Sequence, residues 1–274
     1  MNWNKDFAPL WRQVPSDIEK LLDKCLEEAA AKLQPGGSVI VFFRADDIGV
    51  PGEGFARLVN LFRHHRAPLT LSVVPAWLTR PRWQQLQNLC GKNQRLWSWT
   101  QHGWRHLNHE PRGKKMEFGP SRKASLKRQD LWLGYQRLRK LMGEIFVPAF
   151  TPPWNRCDVE TLTALQDLGY QALSRSLGAQ PVAPVELPEY PVSVDLHTRK
   201  EPDAYGGWQS LLHELKENLA VGFCGVMIHH QRMNQAAFIF LDLLLNKLKR
   251  WQYGRIVHLG TLLEAECTVL EGRC

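Results

Sequence analysis

The sequence predicts an α/β fold, a distorted (β/α) barrel of seven or eight strands with an N-terminal helical extension. From Ser38 onward, short apolar runs alternate with amphipathic segments, the pattern of parallel strands joined by crossover helices. The chain has 274 residues, 44% of them hydrophobic, and α/β barrels reach such lengths as one domain. So many strand–helix units favour a closed barrel, with an open doubly wound sheet as the alternative.

The first segment is predicted to form a helix that packs on the main body. Ser16 and Glu19 have the spacing of a capping box at a helix start. Apolar residues then recur at helical spacing through Leu33. We therefore expect residues 1–37 to be an extension and residues 38–274 to form the barrel.

The strand and helix patterns alternate along the rest of the chain. Strands are predicted at Val39–Phe43, Leu69–Val74, Leu96–Trp99, Val147–Phe150, Tyr170–Ser174, Val192–Leu196, Gly225–Ile228 and Ile256–Leu259. Helices are predicted at Phe55–His65, Leu126–Met142, Val159–Leu168, Trp208–Leu219 and Ala236–Leu248.

The cysteine spacing and the apolar runs argue against a thiolate zinc protein, a secreted protein and a membrane-spanning protein. The 6 cysteines are scattered, and no Cys-x-x-Cys pair occurs, which argues against a thiolate zinc site. The first residues lack the apolar stretch of a signal peptide, and no apolar run has the length of a membrane span. The sequence thus predicts a cytoplasmic protein with reduced thiols and no transmembrane segment.

The chain is basic, with a formal net charge of +8. Basic residues are densest at Arg112–Lys115, Arg122–Arg128 and Arg137–Lys140. They are interpreted either as a solvated helix face or as a surface for an acidic partner such as nucleic acid, a membrane or a phosphorylated sugar. Because the common nucleic-acid-binding motifs are absent from the sequence, no nucleic-acid partner is expected.

Polar and ionisable side chains fall at the C-terminal ends of five predicted strands. They are Asp46-Asp47, the group His102, His106 and His109, the run Thr151-Pro152-Pro153-Trp154, the pair Asp195 and His197, and His229-His230. In a barrel these strand ends meet at one mouth, where active sites form. This distribution predicts one site.

The spacing of His102 and His106 favours a metal. Two His residues four apart on a helical turn face the same way and suit one metal ion. With an aspartate added, such a set leaves an open coordination position for water, as catalytic zinc requires. Of Asp46 and Asp47, one would bind the metal and the other would accept a proton from water. His109 would lie on the same side if the turn continues, and it could be a further ligand, a residue that supports the ligands, or a surface residue.

Structural interpretations of the same residues remain open. Asp46-Asp47 could form a polar loop in which one carboxylate caps the following helix. His229 follows a buried-strand pattern and could be a core residue, or a general acid at the barrel mouth. The tryptophans near the predicted mouth could stack on sugar rings or pack in the core, and Trp154 is the better substrate contact.

The residues resemble the motifs of the polysaccharide deacetylase family (carbohydrate esterase family 4) over about Ser38 to Leu259. Family members open with a strand ending in Asp-Asp-Gly, and here an extra residue precedes the glycine. The resemblance implies that Asp46 is the catalytic base and Asp47 a metal ligand. The family motif His-Ser/Thr-x-x-His implies that His102 and His106 are ligands as well.

Two further motifs of the family are altered or matched in part. Thr151 stands where the family has an arginine that lines the groove and steadies the base, and Arg44, Arg105 or Arg156 could supply that charge. The strand ending Met227-Ile228-His229 matches Leu-x-His, which implies that His229 is the general acid. Asp195 and His230 are the predicted supporting residues.

The resemblance implies a metal-dependent deacetylase, a hydrolase that removes N-acetyl groups from an amino sugar or glycan intermediate. The implied cofactor is a divalent metal, zinc, held by Asp47, His102 and His106, and the implied partner is an N-acetylated carbohydrate. The substrate-binding residues would be Pro153, Trp154 and Trp104. A surface-glycan intermediate inside the cell is the hypothesised substrate.

Three other functions remain open at this stage. The altered motifs could leave a catalytically impaired homologue that binds metal or carbohydrate. The same metal could serve a C–N hydrolase acting on a non-sugar amide. A module binding nucleic acid or an anionic glycan through the basic surface would bind in a salt-sensitive way without needing metal.

Overall fold

The computed structural model describes residues 7–271, with side chains described as far as residue 265. Its strands are β1 (Val39–Ile48), β2 (Leu69–Val73), β3 (Trp97–His102), β4 (Phe146–Thr151), β5 (Ala172–Leu173), β6 (Val194–Asp195), β7 (Phe223–Ile228) and β8 (Gly254–Val257). Its helices are α1 (Ile18–Ala30), α2 (Glu53–His64), α3 (Arg80–Cys90), α4 (Ala124–Met142), α5 (Val159–Asp167), α6 (Ala204–Ala220), α7 (Gln235–Arg250) and α8 (Leu259–Glu271).

The strands form one sheet whose hydrogen-bonded order is β5-β4-β3-β2-β1-β7-β6, with β8 paired to β1. Helices alternate with the strands along the chain, and the pairings of β1 with β7, β3 with β4 and β6 with β7 are parallel. The predicted α/β fold of the distorted (β/α) barrel type is confirmed.

The chain divides into two compact units. The first unit comprises the residues up to Ala45, Gly52–Leu69 and Ser193–Val257. The second unit comprises Asp46–Pro51, Thr70–Val192 and the residues from His258 onward. Strand β1 begins in the first unit and ends in the second, so the predicted boundary at residue 37 stays a prediction.

The first unit is organised around β1. Parallel strands covered on both faces are apolar throughout, and the run Val39–Ala45 is buried apart from partly exposed Ile40. Ile40 pairs with Phe223 of β7, and Val39 pairs with Gly254 of β8. This core holds the first part of β1, up to Ala45, in place.

The N-terminal segment packs within the first unit. Helix α1 places Leu22, Cys25, Leu26 and Ala29 on a buried face. The Trp11 indole N–H donates to the Leu196 carbonyl over 2.9 Å. The predicted capping box is wrong, because the N-cap residue is Asp17 and its side chain makes no cap hydrogen bond.

The second unit carries the polar carboxyl ends of β1, β3 and β4. His102 of β3 pairs in register with Thr151 of β4, after a register shift between Trp99 and Gln101. Beneath these strands lies a buried cluster that includes Phe118, Leu131, Phe150 and Leu165, and Trp104 packs against it.

All eight predicted strands occur, with shifted ends. The largest shift is in β1, which continues to Ile48, so Asp46 and Asp47 lie in the strand and not in a loop after it. Helices α3 and α8 were not predicted. Within the described residues, no helix is long and apolar enough to cross a membrane.

Candidate metal centre

Asp47, His102 and His106 are brought together in the second unit. The Asp47 Oδ1 atom lies 3.2 Å from the Nε2 atoms of both His102 and His106. One potential ligand atom from each residue lies within 4.8 Å of the others. His102 is almost fully buried, whereas His106 and Asp47 keep some exposure, so the three donors open toward solvent on one side.

The hydrogen bond on the far side of His102 determines which nitrogen faces Asp47. His102 Nδ1 lies 3.0 Å from the Thr151 carbonyl oxygen, and a carbonyl can only accept a hydrogen bond. Nδ1 therefore carries a hydrogen, and when the ring is neutral Nε2 presents a lone pair to the Asp47 carboxylate. Two acceptors 3.2 Å apart repel each other unless a proton or a metal cation lies between them.

The donor set fits a divalent metal. Bonds of about 2.0–2.2 Å in a tetrahedron place ligand atoms about 3.4 Å apart, close to the 3.2 Å separations observed. Two imidazoles and one carboxylate are the ligand types of catalytic zinc sites, which keep a fourth position for water. The bond from His102 to a backbone carbonyl is the outer contact that metal-binding imidazoles usually make.

The ligands are held by unusual backbone conformations. Asp47 and His106 have φ angles of 61° and 58°, and Trp154 and Asn155 both have φ of 57°. Four of the five non-glycine residues with positive φ in the described chain are therefore at this site. Such conformations cost of order 1–3 kcal/mol each and concentrate at functional sites.

The predicted helical turn around His102 and His106 is wrong. Residues 103–110 form an irregular loop, and Gly103 adopts φ of 59°. The two rings, with centroids 5.1 Å apart, meet because the loop curls back through left-handed residues. His109 does not join the group of three.

Glu117 holds this loop in place. Its side chain is almost fully buried and accepts hydrogen bonds from the backbone N–H groups of Trp104 at 3.1 Å and Arg105 at 2.7 Å. Burial raises the pKa of the Glu117 carboxyl, while these amides and that of His106 lower it. Because each carboxylate oxygen accepts from a different amide, the carboxylate fixes the turn between the two histidines.

The tight fit around Gly103 explains why the family Ser/Thr is missing. A Cβ atom there would lie 2.2 Å from a Glu117 carboxylate oxygen and 2.5 Å from Pro153. A serine could not occupy this position unless Glu117 and Pro153 moved. Pro153 thus packs under the loop, and its predicted role in substrate binding stays a prediction.

Asp46 directly precedes Asp47 in sequence, and its side chain is buried, with the residue 2% exposed. Neighbouring residues in a regular strand point to opposite faces, but the positive φ of Asp47 breaks that alternation. The cap of α2 is Gly52, with no side-chain cap hydrogen bond. The alternative in which one aspartate caps the next helix is therefore wrong.

Two indoles flank His106. The Trp154 ring centroid lies 4.6 Å from that of His106, and the Trp77 centroid lies 5.9 Å away. Both indoles are partly exposed. Trp104 is partly exposed and packs against the buried cluster of the second unit, and its predicted role in substrate binding stays a prediction. Trp97 and Trp99 are both buried.

Thr151, at the position where polysaccharide deacetylases have an arginine, carries no charge. Its backbone carbonyl accepts from His102 and from the Gly103 amide, and its hydroxyl lies 3.3 Å from that of Ser72. Of the three arginines that could supply the charge, only Arg44 is fully buried, and its Nη2 lies 3.3 Å from the Met227 sulfur.

The predicted acid, His229, lies in the first unit. Its backbone N–H donates to His197 Nδ1 over 3.1 Å. Its own ring Nδ1 is buried and has no hydrogen-bond partner among the described residues. Burial, reinforced by His229 and His230, lowers the pKa of His197 well below its usual value, so His197 stays neutral and accepts this bond.

The two predicted supporting residues do not contact the His229 ring through hydrogen bonds. The Asp195 carboxylate accepts from the backbone N–H groups of His197 and Thr198, so it holds the turn that carries His197. His230 packs edge-on against Phe55, with ring centroids 5.8 Å apart. Any support that Asp195 gives to His229 is therefore indirect.

Sequence reasoning missed Trp77 and Glu117. Trp77 lies in the short 3-10 turn Pro75–Trp77 that follows β2, so its place just beyond the carboxyl end of a predicted strand was the available signal. Glu117 lies in a polar loop without periodicity, and no sequence signal distinguishes it from a solvated glutamate.

Comparison with solved structures identifies the fold. A putative polysaccharide deacetylase from Mycobacterium smegmatis matches with a TM-score of 0.62 and 14% identity, covering 85% of this chain and 91% of that one. An allantoinase, PuuE, matches with a TM-score of 0.59 and 14% identity over 85% of this chain and 92% of its own.

A third match is described as a pseudoenzyme. This carbohydrate esterase family 4 protein from Bacillus anthracis matches with a TM-score of 0.52 and 13% identity, over 84% of this chain and 66% of that one. A mutant of it is described as having restored enzymatic activity. No protein-family model and no curated protein matches the sequence. The resemblance to polysaccharide deacetylases is thus confirmed as a likeness of fold.

Proposed function

We propose that this protein is a divergent polysaccharide deacetylase, a metal-dependent hydrolase that removes N-acetyl groups from an amino sugar or glycan intermediate. The observation that carries the proposal is that the Nε2 atoms of His102 and His106 both face the Asp47 carboxylate, each 3.2 Å from its Oδ1 atom. This arrangement is repulsive for neutral rings and becomes favourable when a divalent cation is bound.

A divalent metal, zinc in this proposal, supplies Lewis acidity for the attacking water and the acetyl carbonyl. Asp47, His102 and His106 hold it. The Thr151 carbonyl orients His102, and Glu117 fixes the loop that carries His106. These bonds pre-position the ligands before substrate binds.

Asp46 accepts the proton of the attacking water. Its carboxylate is buried and directly precedes a proposed ligand in sequence, and a cation bound there would favour its ionised form. The Asn155 amide is already bonded to the Pro152 carbonyl. The Trp154 amide is therefore our candidate for stabilising the tetrahedral oxyanion. His229 donates a proton to the departing amine nitrogen.

The two indoles beside His106 suit a sugar substrate. The ring centroids of Trp77 and Trp154 lie 5.9 Å and 4.6 Å from that of His106, and partly exposed indoles next to a polar centre can stack on sugar rings. Trp104 and Pro153 remain in this proposal as further substrate contacts.

The assay for the proposal is acetate release. Purified protein loaded with Zn²⁺ is incubated with N-acetylglucosamine and its oligomers, and acetate is measured with and without a chelator. We expect release that the chelator abolishes and that Zn²⁺ restores. If no N-acetyl sugar yields acetate although one metal is bound, the deacetylase proposal is wrong.

One observation favours a second candidate, a metal-binding homologue with impaired catalysis. His229 Nδ1 has no hydrogen-bond partner among the described residues, and Thr151 stands where the family has arginine. A pseudoenzyme and an allantoinase are both among the solved structures with this fold. Allantoin is therefore a second probe in the assay, because its hydrolysis would identify a C–N hydrolase acting on a non-sugar amide.

A further inference from the structure

The proposed function does not use the cationic segment between the metal ligands and α4. Arg112, Lys114 and Lys115 lie before α4, so they do not belong to a helix face. All of residues 111–115 are exposed, and Gly113 turns the chain with φ of 78°. We name residues 111–115 the basic turn.

Hydrogen bonds give the basic turn a defined position. The Asn108 side-chain oxygen accepts from the backbone N–H groups of Glu110 and Met116. The His109 N–H donates to the Met116 carbonyl over 2.9 Å. The two sides of the turn are therefore tied together at its base.

Both ends of this segment lead into the metal centre. Two residues before Asn108 is His106, a proposed ligand, and the residue after Met116 is Glu117, which binds the ligand loop. The basic turn is thus built on the same short stretch of chain that holds the metal.

The charges of the basic turn are not neutralised by the protein. On α4 and just before it, Arg122 pairs with Asp130, Lys127 with Asp158 and Glu160, and Arg128 with Asp167. By contrast, Arg105, Arg112, Lys114 and Lys115 have no ion pair among the described residues. The two acids of the same loop are occupied, Glu110 by Ser121 and Glu117 by backbone amides.

Arg156 connects the basic turn to the aromatic side of the site. Its Nη1 lies 3.5 Å from the Lys115 carbonyl oxygen. It follows Trp154 by two residues, and Trp154 packs beside His106. Cations therefore continue from the turn to the residues flanking the metal ligands.

We propose that the basic turn, with Arg105 and Arg156, recognises a phosphate group on the substrate, so that the substrate class is an N-acetylated sugar phosphate ester. The inference rests on the proposed function and specifies its substrate. Several uncompensated cations match a dianionic phosphate better than a single carboxylate, and guanidinium groups bind phosphate in a bidentate manner.

The test compares three sugars by ligand-observed NMR titration and by acetate release from the Zn²⁺-loaded protein. They are N-acetylglucosamine, N-acetylglucosamine 1-phosphate and N-acetylmuramic acid, which are neutral, phosphorylated and carboxylated. We expect the phosphorylated sugar to bind about tenfold more tightly than the neutral one at about 150 mM salt, and the preference to shrink at high salt.

A matched pair of variants locates the effect. The triple variant Arg112→Gln, Lys114→Gln, Lys115→Gln removes three charges from the basic turn. The control Lys20→Gln, Lys249→Gln, Arg250→Gln removes three exposed charges from α1 and α7. We expect the first variant to lose the preference for phosphate and the control to keep it, with both retaining the wild-type melting temperature within a few degrees.

Several outcomes would overturn the inference. These are equal binding of the phosphorylated and neutral sugars, equal losses in the two triple variants, tighter binding of the carboxylated sugar, or tighter binding of a DNA duplex than of the sugar phosphate. Metal-dependent acetate release without phosphate preference would overturn this inference and leave the proposed function standing. Tighter binding of the phosphorylated sugar without acetate release from any sugar would overturn the proposed function and leave phosphate recognition by the basic turn standing.

Discussion

The metal-ligand region and the region of the proposed acid differ in how fully their catalytic groups are positioned. In the second unit, His102 is oriented by the Thr151 carbonyl, and Glu117 binds the turn before His106. In the first unit, the His229 ring nitrogen Nδ1 is buried without a hydrogen-bond partner in the described chain. The carboxylate expected to support it, Asp195, is bonded to its own turn.

Under the proposed function, this difference separates metal binding from proton donation. Ligand geometry for a metal demands outer contacts, because they fix the ring tautomer and orientation. A proton donor without an oriented ring gives weaker catalysis, because proton transfer requires hydrogen-bond geometry. We therefore expect metal binding to be strong and acid catalysis to be modest.

The largest effect should come from Asp46, the base on the metal side of the comparison. Asp46→Asn keeps the shape but cannot accept the proton of water, so acetate release should fall by about 10²–10⁴. Metal content should stay at the wild-type level. Wild-type activity in this variant would exclude Asp46 as the base, and loss of the metal would make it a ligand.

His229 should matter less than Asp46. In His229→Gln we expect acetate release to fall by about 10², the low end of the range for acid–base catalysis. The reason is that the His229 Nδ1 atom has no hydrogen-bond partner among the described residues to orient the ring. The rates of acetate release by His229→Gln and Asp46→Asn are compared at the same fraction of protein loaded with Zn²⁺. A loss as large as that of Asp46→Asn would contradict the view that the acid is poorly positioned.

Glu117 should affect metal affinity. In the wild type each Glu117 carboxylate oxygen accepts a hydrogen bond from one backbone N–H. Glu117→Gln therefore places a side-chain NH₂ group against one of these backbone N–H groups. We expect Zn²⁺ affinity to weaken by about 10–100-fold, measured by competition with a chromophoric chelator. Amide hydrogen exchange over residues 103–107 should also quicken in the metal-free protein.

The control for Glu117 is Glu110→Gln, a change in the same loop at a carboxylate bonded to Ser121. It should leave Zn²⁺ affinity and exchange near the ligands unchanged. Equal affinities for wild type and Glu117→Gln would show that the buried carboxylate serves the fold alone.

The smallest effect concerns His197 and pH. Burial lowers its pKa, so below about pH 6.5 the unfolded chain takes up a proton that the folded chain refuses. The contribution of neutral His197 to stability is therefore complete above that pH and is lost as the pH falls.

His197→Gln removes this dependence while retaining an acceptor for the His229 amide. The difference in unfolding free energy between wild type and variant should narrow by about 1.4 kcal/mol for each pH unit below 6.5. Urea denaturation at several pH values measures it. A difference that stays constant from neutral to acid pH would mean that His197 is not held neutral.

The strands were predictable because each is a short apolar run bounded by polar residues. Helix α3 was missed because the segment Arg80–Cys90 contains a proline and is largely polar. In β1 the prediction ended at Phe43, because charged residues normally end a buried strand. Here Arg44 and Asp46 are themselves buried, which is unusual for charged groups outside functional sites.

The identities of the three proposed ligands were predictable, but their local geometry was not. The His-x-x-x-His spacing suggested a helical turn, whereas His106 and Gly103 adopt positive φ. That conformation depends on tertiary contacts with Glu117 and Pro153, which no local pattern encodes. Glu117 could be found only from coordinates.

Metal stoichiometry tests the central claim most directly. Wild type, His106→Ala and the matched control His109→Ala are dialysed against Zn²⁺, and bound metal is measured by elemental analysis. We predict about one ion per chain for wild type and His109→Ala and almost none for His106→Ala. Equal metal content in wild type and His106→Ala, or none in wild type, would contradict the account.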